Sequence, residues 1–117
     1  MDSMALIRQA VQILDKKKAE GVRVIDVSEL TDFTEYFIIA GGTSSTHVRS
    51  LADELEEGLK NAGFEPRGVE GRSAGWILLD YYSVIIHVFT PSERDYYDLE
   101  RLWKDGKYID VPVGEEA

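Results

Sequence analysis

The feature that most constrains this chain is an apolar segment that leads directly into a glycine-rich turn and an amphipathic helix. Residues 36–40 form a nearly continuous apolar run, which is typical of a central strand buried on both faces of a sheet. Residues 41–46 carry two glycines and four hydroxyl side chains, which break the strand and can cap a helix. Apolar residues then recur at helical spacing from Val48 to Ala62. A strand, a turn and a helix in this order predict a sheet with helices packed on it.

Hydrophobic periodicity predicts the remaining elements on either side of this unit. Two further helices are expected, at about residues 4–19 and from Pro91 onward with Ser92 as the N-cap. Strand-like runs predict four further strands, at about residues 23–28, 65–70, 76–81 and 84–89. The predicted order is α-β-β-α-β-β-β-α, an α/β fold with a mixed five-stranded sheet and helices packed on it.

The length of the chain predicts a single domain, and its charge limits the kinds of partner that it can bind. A chain of 117 residues accommodates one domain, expected at residues 1–113, with a frayed tail at residues 114–117. Its 13 Lys and Arg residues against 22 Asp and Glu residues give a formal charge of −9. Because phosphate binding needs a net basic surface, this acidity argues against direct binding of DNA or RNA.

The sequence also argues against cysteine chemistry, secretion and a membrane location. Cysteine is absent, which removes disulfides, thiolate metal sites and cysteine nucleophiles, and fits a cytoplasmic protein. The first residues lack the basic and apolar regions of a secretory signal. No apolar stretch approaches the roughly 20 residues of a membrane span, so we expect no membrane association.

The turn at residues 41–45 allows two interpretations. Backbone N–H groups at a helix N-terminus can bind phosphate, and a strand, turn and helix of this kind are similar to those of nucleotidyltransferases. However, the turn lacks the Lys of a P-loop, and a nucleotidyltransferase needs two or three carboxylates around paired metal ions. The acidic residues at 53–57 lie on the polar face of a helix, and Asp80 alone cannot hold two metals. We favour hydroxyl caps, with no metal and no cofactor, and keep a nucleotide-binding enzyme as the alternative.

Residues 71–75 formally match the G-x-S-x-G motif of a serine nucleophile, and Asp80 and His87 follow in a triad order. A nucleophile elbow needs a strand before it and a helix after it. Here a predicted strand follows, so the segment is interpreted as a hairpin loop. We therefore expect no catalytic residues in this chain.

The segment after this loop places its side chains on two faces of one strand. Trp76, Leu78 and Asp80 share one face, and Ile77 lies on the other. A Trp at such a position is more often a core residue, but an apolar face that ends in Asp80 also suits a partner surface. For His87, a hydrogen-bonded structural role is favoured over metal ligation because no second ligand lies at a suitable spacing.

Three blocks of the sequence, in the same order, carry a family resemblance. They are residues 26–28 with 36–44, residues 75–81 with 84–89, and residues 94–103. They resemble the ribosomal silencing factor family (Iojap-like proteins), and the similarity covers about residues 4–108. The turn Tyr82-Ser83 stands where the family usually has Gly-Asp, and Gly106 where Ala is more usual; both positions are turns. The resemblance implies a nucleotidyltransferase-like fold that lacks the enzyme's metal site and its catalysis.

The resemblance also implies a function and a set of contact residues. Members of this family bind the large ribosomal subunit through its fourteenth protein, block joining of the small subunit and so repress translation. They are often homodimers when free. The family's contact strand and its neighbours fall on Trp76, Ile77, Leu78, Asp80, His87, Tyr96 and Tyr97. Two alternatives stay open, a nucleotide-binding enzyme of nucleotidyltransferase type and a homodimeric interaction module with another protein target.

Overall fold

Six strands form one mixed sheet in the computed structural model, which describes residues 2–112. The elements in chain order are α1 (Ser3–Lys16), β1 (Glu20–Asp26), β2 (Tyr36–Gly41), α2 (Ser45–Asn61), β3 (Gly68–Ser73), β4 (Trp76–Asp80), β5 (Val84–Phe89), α3 (Pro91–Tyr97), α4 (Leu99–Leu102) and β6 (Lys107–Ile109). The strand order is β3-β4-β5-β2-β1-β6, with β2 and β5 parallel and the other neighbours antiparallel. The mixed α/β fold is thus confirmed. The predicted tail at 114–117 lies outside the described residues.

The prediction of five strands is wrong, because a sixth strand pairs with β1 at the edge of the sheet. Strand β6 has three residues, and Tyr108 lies opposite Ile25 of β1. A run of three residues is too short to show an alternating pattern. The pairing of β6 depends on tertiary contacts with β1, which the local sequence does not reveal.

The predicted last helix is two short helices, α3 and α4, with a break between them. Asp98 ends α3 in the left-handed backbone region, with φ 49° and ψ 52°. The predicted N-cap Ser92 is also wrong, because Thr90 fills that position and its hydroxyl accepts the Glu93 N–H. Pro91 is therefore the first helical residue, where its missing N–H costs nothing.

The central strand β2 is buried on both faces, as its apolar run predicts. Ile38 and Ala40 point into the larger core beneath α1 and α2, and both are 0% exposed. Phe37 and Ile39 point to the opposite face and join a smaller core. The parallel pairing of β2 with β5 places two apolar strands side by side at the centre of the sheet. This centre contributes side chains to both cores, one on each face of the sheet.

Helices α1 and α2 cover one face of the sheet with one apolar stripe each. The fully buried leucines of these stripes are Leu6, Leu14, Leu51, Leu55 and Leu59. Burial of each such side chain contributes about 1.5–3 kcal/mol. Within residues 2–112, the opposite face receives only the short helices α3 and α4 and a loop, so part of its apolar surface stays exposed.

Candidate partner-binding face

A continuous band of aromatic rings crosses the sheet face that α1 and α2 leave uncovered. Strands β2, β4 and β5 contribute rings at alternate positions, and the loop before β2, α3 and the residue after α4 contribute the rest. Neighbouring centroids in this band are 4.4–6.4 Å apart, within the range of attractive aromatic pairs. We call this band the aromatic face; its members are Phe33, Phe37, Trp76, His87, Phe89, Tyr96, Tyr97 and Trp103.

Trp76 lies within this face and remains partly exposed. Its ring centroid is 4.4 Å from that of Tyr97 and 5.0 Å from that of Phe89. Its indole Nε1 donates a hydrogen bond to Nδ1 of His87, at 3.2 Å. Trp76 is thus packed against its neighbours and held by a hydrogen bond while the residue stays partly exposed.

His87 supports Trp76 from beneath, on the neighbouring strand β5. It is 5% exposed, and this burial lowers the pKa of the imidazole to about 3, with the charge of Arg72 as a second cause. The ring is therefore neutral at physiological pH, with the proton on Nε2 because Nδ1 accepts from Trp76. Nε2 is buried and has no hydrogen-bond partner among residues 2–112. His87 thus has the hydrogen-bonded role that its sequence context favoured.

Asp80 already has partners within the chain. Its Oδ2 accepts from Nε and Nη2 of Arg67, at 3.2 and 3.0 Å, and its Oδ1 accepts the Tyr82 N–H at 2.9 Å. The guanidinium group of Arg67 in turn lies 4.9 Å from the centre of the Tyr82 ring. Since an ionised carboxylate offers about four acceptor positions, Asp80 retains little capacity for a further basic group.

The structure separates Ile77 from the other predicted contact residues. Leu78 packs on the same sheet face as Trp76, next to the smaller core. Ile77 lies opposite Val88 and packs against the core beneath α1 and α2. The alternation of side chains in β4 therefore brings Trp76 and Leu78 together and directs Ile77 away from them.

The edge of the aromatic face is formed by α3, whose two tyrosines are exposed. Tyr96 is 80% exposed and Tyr97 is 39% exposed, and their rings meet edge to face at 5.0 Å. Phe33, which is 56% exposed, and Leu102, which is 69% exposed, extend the apolar surface beyond the predicted residues. The sequence could have indicated Phe33, because it is a large aromatic residue in an otherwise polar connector.

Arg94 fixes α3 to the rest of the fold. Its Nε and Nη2 donate to the two carboxylate oxygens of Glu100, at 3.0 and 2.9 Å. Nη2 also donates to the carbonyl oxygen of Gly21 at 2.7 Å, and Nη1 to that of Glu20 at 3.3 Å. The hydrogen bonds that Glu100 accepts from Arg94 hold the pKa of its carboxyl group below the usual range. One guanidinium group therefore ties α3 and α4 to the start of β1.

Replacing Arg94 with lysine is expected to lower the free energy of unfolding by about 2 kcal/mol, since charge-assisted bonds of this kind contribute about 1.5–3 kcal/mol. Lysine keeps the positive charge but cannot form the planar fork that reaches Glu100 and Gly21 together. The check is urea unfolding, combined with hydrogen exchange of the α3 amides, which we expect to accelerate. Unchanged exchange in α3 would show that its packing alone holds it.

The turn at residues 41–45 uses its polar groups within the chain. The Ser44 hydroxyl accepts the His47 N–H at 3.1 Å, and Nδ1 of His47 accepts the Thr43 N–H at 2.9 Å. Nε2 of His47 lies 3.0 Å from the carbonyl oxygen of Lys17 and donates to it. A Cβ on Gly42 would lie 2.9 Å from Val48, so this position needs glycine for close approach. These contacts support the hydroxyl-cap interpretation of the turn.

Within residues 2–112, neither a metal-ligand cluster nor a membrane-spanning helix is found. No group of three or more His, Cys, Asp or Glu side chains in this range is arranged to hold a metal ion. None of the helices in the same range is long and apolar enough to cross a bilayer. Of the predicted contact residues, Trp76, Leu78, Tyr96 and Tyr97 lie on the aromatic face or at its edge, whereas Ile77 faces the opposite core and His87 is buried.

The layers and the aromatic face define a small mixed α/β domain with an open, aromatic sheet face. The chain belongs to the ribosomal silencing factor family: it matches the family described as "Ribosomal silencing factor during starvation" over residues 1–117. This confirms the family resemblance of the three sequence blocks.

Individual relatives and solved structures agree with this assignment. The ribosomal silencing factor RsfS of Halalkalibacterium halodurans is 35% identical over 112 residues, which cover 95% of this chain and 96% of the relative. Its counterpart in Haemophilus influenzae is 39% identical, over 86% of this chain and 99% of the relative. A solved protein from Chromobacterium violaceum superposes with a TM-score of 0.85 at 36% identity, covering 97% of this chain and 95% of that one.

Proposed function

We propose that this protein binds the large ribosomal subunit through its fourteenth protein, blocks joining of the small subunit and thereby represses translation. Family membership supports a role as a ribosomal silencing factor. The observation that carries the proposal is the aromatic face, where Trp76 is partly exposed and held in place from below. The bound protein blocks subunit joining by steric exclusion alone. Its activity therefore depends on its affinity for the large subunit and on where it is bound.

The contact surface in this proposal consists of the partly exposed side chains of the aromatic face. Trp76 is the anchor, Leu78 adds apolar contact beside it, and Tyr96 and Tyr97 form the edge. Partly exposed aromatic side chains on a rigid sheet lose little conformational freedom on binding, which favours affinity. Asp80 belongs to this surface only with the acceptor position that Arg67 and the Tyr82 N–H leave free, so its contribution is expected to be small.

The acidic side of α2 supports one orientation of the bound protein. The acidic residues of α2 lie on its solvent side; they are Asp53, Glu54, Glu56 and Glu57. Because α2 packs on the sheet face opposite to the aromatic face, these carboxylates point away from the docked surface. They would then face the approaching small subunit, whose RNA phosphates they repel. A net charge of −9 also favours a basic protein as the docking partner over bare RNA.

Sedimentation with purified ribosomal subunits tests this function. The protein is expected to migrate with the large subunit and not with the small one. When it is added before the subunits are mixed, it is also expected to reduce the light scattering that follows their joining. A protein that stays at the top of the gradient, or that leaves the rate and extent of joining unchanged, would contradict the proposal.

Five finer properties belong to the same proposal. The protein acts in the cytoplasm without catalysis, on a nucleotidyltransferase-like scaffold whose strand, turn and helix keep the shape of a nucleotide site but not its metal ligands. The capping of the turn by Ser44 and His47 supports this over the nucleotide-binding alternative. The free protein is a homodimer, and residues 1–113 act as one unit.

A further inference from the structure

We propose that His87 is a positioning residue for the Trp76 anchor: its Nδ1 accepts the indole N–H and fixes the orientation in which Trp76 meets the partner. This inference rests on the proposed function, because it assigns His87 a role within the same docking surface. It also changes the role that the family resemblance implies for His87, from a contact residue to a residue that acts through Trp76.

The sheet register allows this hydrogen bond. Trp76 lies opposite Phe89, and Leu78 lies opposite His87, so Trp76 and His87 are diagonal neighbours on adjacent antiparallel strands. Aromatic side chains can span such a diagonal. The result is the contact of 3.2 Å between Nε1 and Nδ1, with the two ring centroids 5.9 Å apart.

The imidazole ring is itself held in one orientation. Phe37 meets it edge to face, with centroids 5.1 Å apart and an interplanar angle of 78°. Phe89 lies nearly parallel to it, at 6.0 Å and 7°. The acceptor atom therefore has a fixed position and direction, and a fixed acceptor fixes the donor that bonds to it.

The hydrogen bond to Trp76 is what distinguishes histidine from an apolar ring at this site. His87 is 5% exposed, so a partner that docks on the surface does not reach it. Its second nitrogen is buried with no partner among the described residues, which is a cost of placing an imidazole here. A phenyl ring would supply the same packing without that cost. What histidine adds is the acceptor at Nδ1.

Loss of this acceptor would affect binding through the order of Trp76. A partly buried indole N–H without a partner drives the ring to turn until the N–H meets water. The anchor would then populate several orientations in the free protein, and binding would have to select one of them. Selecting one orientation lowers the affinity. His87 avoids this loss because it holds Trp76 in the binding orientation before the partner arrives.

Three substitutions of His87 separate the acceptor from the packing. In His87→Asn the amide oxygen can take the position of Nδ1, and in His87→Gln the amide lies nearer the position of Nε2. In His87→Phe the ring remains without any acceptor. The readouts are the proton NMR signal of the Trp76 indole N–H, assigned with Trp76→Phe and referenced to Trp103, and the affinity of each variant for purified large subunits.

We expect wild type and His87→Asn to share a downfield, slowly exchanging Trp76 indole N–H, and His87→Phe and His87→Gln to lose it. The affinity of His87→Phe should fall roughly tenfold, the value of one hydrogen bond, while His87→Asn stays within about threefold of wild type. Backbone amide spectra show whether each variant is folded. If wild type binds and folded His87→Phe binds equally well, the positioning role is wrong and the proposed function stands. If wild type does not bind, both are wrong.

Discussion

Replacement of Trp76 with alanine is expected to weaken binding to the large ribosomal subunit by about 30- to 1000-fold, the range for truncation of an aromatic anchor at about 2–4 kcal/mol. The ring packs within 4.4 Å of Tyr97 and 5.0 Å of Phe89 on the protein side, measured between centroids. The exposed part of this residue is the surface that the partner would cover. Alanine removes the whole contact and leaves a shallow depression at the centre of the docking surface.

A matched control is available on the same face of the sheet. Tyr108 is 47% exposed and lies opposite Ile25, at the far edge of the sheet from β4. Tyr108→Ala therefore removes an exposed aromatic ring of comparable size without touching the proposed anchor, and we expect its affinity to stay within about threefold of wild type. Co-sedimentation at several protein concentrations, with circular dichroism as a check on folding, measures both variants. Equal binding by Trp76→Ala and wild type would remove Trp76 from the site.

Much of the fold could be predicted from the sequence because its central elements have strong local patterns. The apolar run of β2 and the stripe of α2 are long enough for their periodicity to identify strand and helix. The β4–β5 hairpin followed from a short polar connector between two apolar runs. Strand β3 was predicted at residues 65–70 but spans Gly68–Ser73, so residues 71–73 belong to the strand and not to the predicted hairpin loop. Its residues are mostly polar and exposed, and they therefore give no periodic pattern that marks its ends. Strand β6 was missed because three residues carry no pattern, and the break at Asp98 was missed because a left-handed residue other than glycine has no strong sequence signal.

The candidate site was predictable only in part, because its geometry depends on strand register. Period-two alternation placed Trp76 and Leu78 on one face and Ile77 on the other, and the structure agrees. The hydrogen bond from Trp76 to His87 requires that Leu78 lie opposite His87, a pairing that the sequence of either strand does not specify. The pairing of Arg67 with Asp80 likewise follows from the position of Gly68 opposite Asp80.

Acidification is expected to destabilise this protein through His87 as the pH falls below 6.5. Burial lowers the pKa of His87 from 6.5 to about 3, and the positive charge of Arg72 contributes in the same direction. Between these two values the unfolded chain binds a proton that the folded chain does not. The stability that depends on neutral His87 is therefore complete above pH 6.5 and is lost as the pH falls toward 3. At pH 5 the loss is about 2 kcal/mol, and it grows as the pH falls further toward 3.

Urea unfolding of wild type and His87→Asn at pH 7, 6 and 5 isolates this contribution. Asn does not titrate, and every other ionisable group is common to both proteins, including Asp26 and Glu100, whose lowered pKa values add acid sensitivity at lower pH. We expect wild type to lose about 2 kcal/mol more than His87→Asn between pH 7 and pH 5. Parallel stability curves over this range would mean that His87 titrates normally in the folded protein. Burial keeps His87 neutral, and only a neutral ring can accept the Trp76 N–H at Nδ1. If His87 titrated normally, it would lose this acceptor at low pH, so the measurement also tests the hydrogen bond that orients Trp76.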